Sequence, residues 1–164
     1  MWDALGLIAA TGVLSAAWTT VWTWVAEGRQ RKSQATYIAM RAAIALEDYA
    51  NRCWQLVYSG PEHIKQTGSP MAGEVPDLEG MPVDSDWTNV DPKLANEALS
   101  FSNSVSIVQI FAAHSRHLEN NPFDAEMYAK ERGRAAWAIA ANLRVKYQLA
   151  ARDDQRKQLT ELLN

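Results

Sequence analysis

The chain has 164 residues, a formal net charge of −3 and an apolar fraction of 48%. That is enough for one compact domain with its own core, and it offers no basic surface for nucleic acid. The single cysteine, Cys53, excludes an intramolecular disulfide and a thiolate metal site.

Ala4 to Ala26 is a run of 23 residues without a charge. A helix needs roughly 20 apolar residues to cross the hydrocarbon of a bilayer, so the length fits a retained anchor over residues 1–28. Seven of these residues are Leu, Ile or Val and three are Trp. The aliphatic residues favour insertion by roughly 2 to 4 kcal/mol, which Thr, Ser and Gly erode, so the span is marginal in hydrophobicity. Gly12, Ala16, Thr19 and Thr23 fall on one helical face at spacings of 4, 3 and 4, a face on which a second membrane helix can approach closely. Trp18, Trp22 and Trp24 read as interfacial anchors, followed by Arg29, Arg31 and Lys32. The positive-inside rule then puts the amino terminus outside and the bulk of the chain in the cytoplasm, on the cell's inner membrane. A cleaved signal peptide would carry positive charge before the run, where Met1-Trp2-Asp3 stands instead.

The remainder, 29–164, reads as an all-α soluble domain, an antiparallel three-helix bundle with helices over 33–58, 92–118 and 124–152. In the first, Ala35, Ala39, Ala42, Leu46, Tyr49, Cys53 and Leu56 recur at spacings of 4 and 3, the stripe of a helix packed on its neighbours or on a second copy. The same register runs back into the anchor, so one continuous helix is expected, weakest at Gly28. Cys53 lies within the stripe and reads as a small buried thiol.

From 59 to 91 the composition changes. Pro61, Pro70, Pro76 and Pro82, with Pro92 just beyond, alternate with glycines, and seven carboxylates face only Lys65. Such punctuation forbids a long helix and predicts a loop, either loosely wrapped or a recognition segment. Trp87 is its candidate partner contact, because a lone indole among carboxylates must dock or sit in water. Asp84 to Asp91 misses the calcium-loop pattern, with Asn89 and Ala95 where glycine and glutamate belong. Asp91-Pro92 reads instead as a helix start, carboxylate cap followed by proline.

The second helix presents Leu94, Ala98, Phe101, Val105, Val108 and Ala112 on one face, with Ile107, Ile110 and Phe111 expected to broaden it at the far end. Its four serines weaken helix propensity, which leaves a short strand near Ser104 to Phe111 open. His114 and His117 stand three apart, but cationic groups near a helix carboxyl end are ordinary dipole partners. Asn120-Asn121-Pro122 is a break, and the third helix follows, with Tyr128, Ala135, Ala138, Asn142, Val145 and Leu149 expected near one face.

No nucleophile–base pair and no glycine-rich phosphate turn is present, so neither enzyme chemistry nor a cofactor is expected. The expectation is a single-pass membrane-anchored interaction module, an adaptor or assembly subunit that self-associates, with the bilayer and another membrane protein or copy as partners. A tethered ligand sensor is the alternative, and a phage-type envelope-remodelling protein a third class.

Overall fold

The computed structural model describes the backbone of residues 2–68, 73–82, 87–115 and 124–150, and their side chains from residue 22 onward, Asp124 excepted. Three helices account for most of it: α1 (Trp2–Thr67), α2 (Pro92–His114) and α3 (Asp124–Tyr147), with one 3-10 turn at Trp87–Asn89. No strand occurs among the described residues, so the serine-rich stretch of α2 is helical throughout.

At 66 residues, α1 is a rod about 100 Å long. Its bundle half begins at Ala35, and the described side chains before that point are exposed or, for Val25, half-buried. The alanine stripe is the core: Ala39, Ala42, Ala43, Leu46, Tyr49, Ala50 and Cys53 are buried. They pack on Ala129, Ala136, Ala140 and Leu143 of α3, and so many methyl side chains let these two helices lie close. Since α3 covers the stripe, the stripe is not a surface for a second copy. The helix continues nine residues past the expected end at Tyr58. Ser59 returns its hydroxyl to the Gln55 carbonyl at 2.7 Å. Gly60 lies against the start of α3 so closely that a Cβ there would collide with the Glu126 carboxylate. The helix runs on through Pro61, whose ring removes a backbone donor.

Expected as a fully antiparallel bundle, the three helices are in fact mixed. Glu47 meets Arg144 near the end of α3 while Gly60 meets Glu126 near its start, so α1 and α3 are antiparallel. Ile38 shares a cluster with Ala95, and Tyr49 meets the Phe101 ring edge-on at 5.7 Å, so α1 and α2 run parallel. Parallel neighbours need a long return segment, and residues 68–91 supply it. Among its described residues, Glu79 pairs with Arg52 at 3.2 Å and Gly80 lies over Ala45. Gln109 donates to the carbonyls of Val75 and Pro76 and, at 2.6 Å, to the Asp77 carboxylate. The described part of the acidic segment is thus a strap bound along α1 and α2.

The start of α2 matches the sequence. Asp91 accepts from the backbone N–H groups of Lys93 and Leu94, and Pro92 follows at the first helical position. Behind the cap, the Tyr147 hydroxyl accepts from the Asp91 N–H at 2.7 Å and Lys146 pairs with the carboxylate at 2.9 Å. At the far end of α3, Gln148 takes a positive φ of 52°, and the N–H of Leu149 returns to the Arg144 carbonyl at 3.0 Å, a left-handed helix stop.

Among the described residues no helix is long and apolar enough to cross a membrane. The uncharged run Ala4–Ala26 lies largely outside them, since side chains are described only from residue 22.

Candidate functional site

Of the residues expected to act at a membrane, Gly12, Ala16, Trp18 and Thr19 have side chains outside the described set. Those that follow are in view. Trp22 and Trp24 are 63% and 76% exposed. Around them Thr23, Ala26, Arg29, Arg31 and Lys32 are exposed as well, and among the described side chains none before Ala35 is buried. Arg31 pairs with Glu27 one turn back at 3.4 Å, an exposed pair of small energetic weight. A helical stretch so bare of tertiary contact gains nothing from packing within its own bundle. Two exposed indoles followed by three cations form a surface with apolar and charged bands in sequence along one rod.

Trp87, singled out as a partner contact, is half-buried. Its Nε1 donates to the Pro82 carbonyl at 2.9 Å, and its ring packs on both the main core and the Ile38–Ala95 cluster. The indole docks on its own bundle, closing the strap before the 3-10 turn.

The interior contains polar groups that sequence periodicity did not bring together. Glu47 is buried within the alanine stripe and receives two bonds from Arg144, from Nε to Oε1 and from Nη2 to Oε2, the latter at 2.7 Å. The third arm of that guanidinium, Nη1, donates to the Ala150 carbonyl. Bonding to the carboxylate raises the Arg144 pKa above its ordinary value. A Glu and an Arg separated by nearly a hundred positions leave no mark on local spacing. One turn on, the Tyr49 hydroxyl is buried without a well-formed hydrogen bond and faces the Cys53 thiol. Burial pushes the phenol far above its ordinary range and the thiol up to about 11. Cys53 at neutral pH is therefore a protonated thiol, inert as a nucleophile.

The depressions among the described residues are open to solvent. One of ≈ 610 Å³ lies between the strap at Glu74–Asp77 and α2 at Ser106, Gln109 and Ile110. Its polar groups there are already engaged with one another, Gln109 to Asp77 and to two strap carbonyls. Among the described residues no three His, Cys, Asp or Glu side chains converge as metal ligands; His114 is exposed, and His117 lies outside the described set.

Two apolar faces stand exposed. On α1, opposite the buried stripe, are Tyr37, Met40 and Ile44, at 56%, 38% and 46% exposure; a stronger stripe on the same helix masked them. On α2, Leu99 faces outward, and so do Ile107, Ile110 and Phe111, which were expected to broaden the packed face and do not.

Comparison with known proteins returned no matching family model, no matching curated protein and no matching solved structure.

Proposed function

We propose that this chain is a single-pass, membrane-anchored helical interaction module, an adaptor or assembly subunit rather than an enzyme. Ala4–Ala26 is its span, Trp22 and Trp24 sit at the headgroup level, and Arg29, Arg31 and Lys32 hold the bundle on the cytoplasmic side. The lipid bilayer and a second membrane-anchored chain, most simply a copy of itself, are its partners. The observation that carries this reading is the continuity of α1 from Trp2 to Thr67, which joins the uncharged run and the bundle in one rod. Exposed indoles and cations come where such a rod would leave the bilayer.

The test is membrane extraction of the full chain. The unaltered protein is expected to stay with the membrane pellet through alkaline carbonate and to float with reconstituted vesicles. Val13→Arg, which adds a charge near the middle of the run at a cost of about 3 kcal/mol, is expected to release it. Recovery of the unaltered chain in the carbonate supernatant contradicts the proposal.

A further inference from the structure

An interaction module needs a surface that takes a partner, and the strap marks one. Its described residues, 73–82, contain no helix or strand. Among the described residues, α1 and α2 both pack backbone-close on α3 and stand farther from each other, and the strap runs between them. Val75 is buried with Ala112 of α2 and Ala125 of α3, while Leu78 and Met81 pack half-buried on the main core. These anchors stand three residues apart, the repeat of a polyproline-type segment. Gln109 bonds the main chain between them, donating to the carbonyls of Val75 and Pro76, and Arg52 holds Glu79. Apolar seats for spaced anchors, joined by bonds to peptide carbonyls, are how a receptor holds a peptide.

The strap does not fill the space it occupies. A depression of ≈ 610 Å³ separates its residues 74–77 from α2, and another of ≈ 600 Å³ lies between Glu74 and Pro76 and the Trp54–Tyr58 stack of α1. A third, of ≈ 360 Å³, lies beside Glu79 and Gly80 at Arg41 and Ile44. Native packing leaves few gaps of such size, so the space is wider than its present occupant. On the α1 wall Arg52 Nε and Trp54 Nε1 are buried N–H groups with no acceptor among the described residues, a cost that a better-fitting occupant removes. We infer that the space between α1 and α2 is a peptide-binding groove that the strap holds in cis, and that its occupant in trans is a partner segment built like the strap. Such a segment carries apolar residues three apart, a proline beside the first and carboxylates between them, as in Val75-Pro76-Asp77-Leu78-Glu79. The strap itself, seated there, shows what the groove accepts. This gives the proposed interaction module a class of partner and does not rest on its anchor.

The probe is a fluorescein-labelled peptide copying residues 73–82, titrated into the full-length chain in mild detergent and read by anisotropy. Val75→Ser with Leu78→Ser frees the chain's own strap, and this release variant is expected to bind the peptide at least tenfold more tightly than the unaltered chain, where the strap competes. Gln109→Ala added to it is expected to weaken binding at least tenfold, and the peptide carrying Val75→Asp and Leu78→Asp is expected not to bind. Equal affinity for both chains overturns the groove, as does a folded release variant that ignores the peptide or pairs with a second copy instead. A second measurement leaves the strap unaltered. In the Cys53→Ala chain, maleimide is expected to label Ala112→Cys, beside Val75, at least tenfold faster than Ala136→Cys in the α1–α3 core, because the strap lifts before the bundle opens. Equal rates overturn the proposal, since a strap that leaves only on global unfolding gives way to no partner. A chain that carbonate extracts yet takes the peptide keeps the groove and loses the anchor; one that resists carbonate and refuses the peptide does the reverse.

Discussion

Tyr49 shows most plainly how the bundle tolerates a polar atom in its core. Its ring fills space against Phe101, edge-on, and the phenol oxygen is buried without a well-formed hydrogen bond. The aromatic body is therefore stabilising and the hydroxyl is a cost. Tyr49→Phe keeps the body and removes the cost, so it is expected to stabilise the chain by about 1 kcal/mol, read as a higher denaturant midpoint at unchanged slope. Glu47 and Arg144 pose the opposite case, a buried charge pair whose two bonds satisfy both partners. Arg144→Met alone strands the Glu47 carboxylate and is expected to cost about 3 kcal/mol or more. Glu47→Leu combined with Arg144→Met removes the stranded charge, and the double variant is expected to be more stable than Arg144→Met in the same urea titration.

At the scale of elements, Asp91 ties three parts of the fold together. It caps α2 through two backbone N–H groups and holds Lys146 of α3. The Lys146 bond, followed by the Leu94 N–H, lowers its pKa below the usual carboxylate value. A carboxyl whose folded pKa is depressed contributes stability above its unfolded value of about 3.9 and loses it as pH falls through the folded one. The melting midpoint is therefore expected to drop on acidification below about pH 4, and Asp91→Asn to flatten that limb in a pH series of thermal melts. This cap was legible because Asp-Pro is a local signal with a local mechanism. The buried faces of α1 and α2 were legible too, since Ala39, Leu46, Tyr49 and Cys53, and likewise Phe101 and Val105, repeat at helical spacing and are all core; that of α3 was not, since Ala138, Asn142 and Val145 on the expected face are exposed while Ala129, Ala136, Ala140 and Leu143 form the core. The end of α1 was not, because Gly60-Pro61 reads locally as a break, whereas the helix runs through it to Thr67 with Gly60 close against Glu126 of α3. Nor was the parallel course of α1 and α2, since periodicity says which face is buried but not which way the neighbour runs.

As a whole molecule the chain is a long rod with a small bundle built on one end. Among the described residues, two short helices and a strap cover one side of α1 from Ala35 onward, and Tyr37, Met40 and Ile44 on its opposite side are exposed. Such an arrangement suits a module whose position is fixed by the rod and whose partners meet it along the rod, and the anchored function proposed above depends on which side of the bilayer the bundle occupies. The most direct measurement is therefore topological. In the Cys53→Ala chain, Lys130→Cys places one thiol on an exposed position of α3, and intact cells are treated with a membrane-impermeant maleimide. Protection in intact cells, with full labelling once they are broken, is the predicted result. Labelling of intact cells would contradict it, reversing the orientation assigned from Arg29, Arg31 and Lys32.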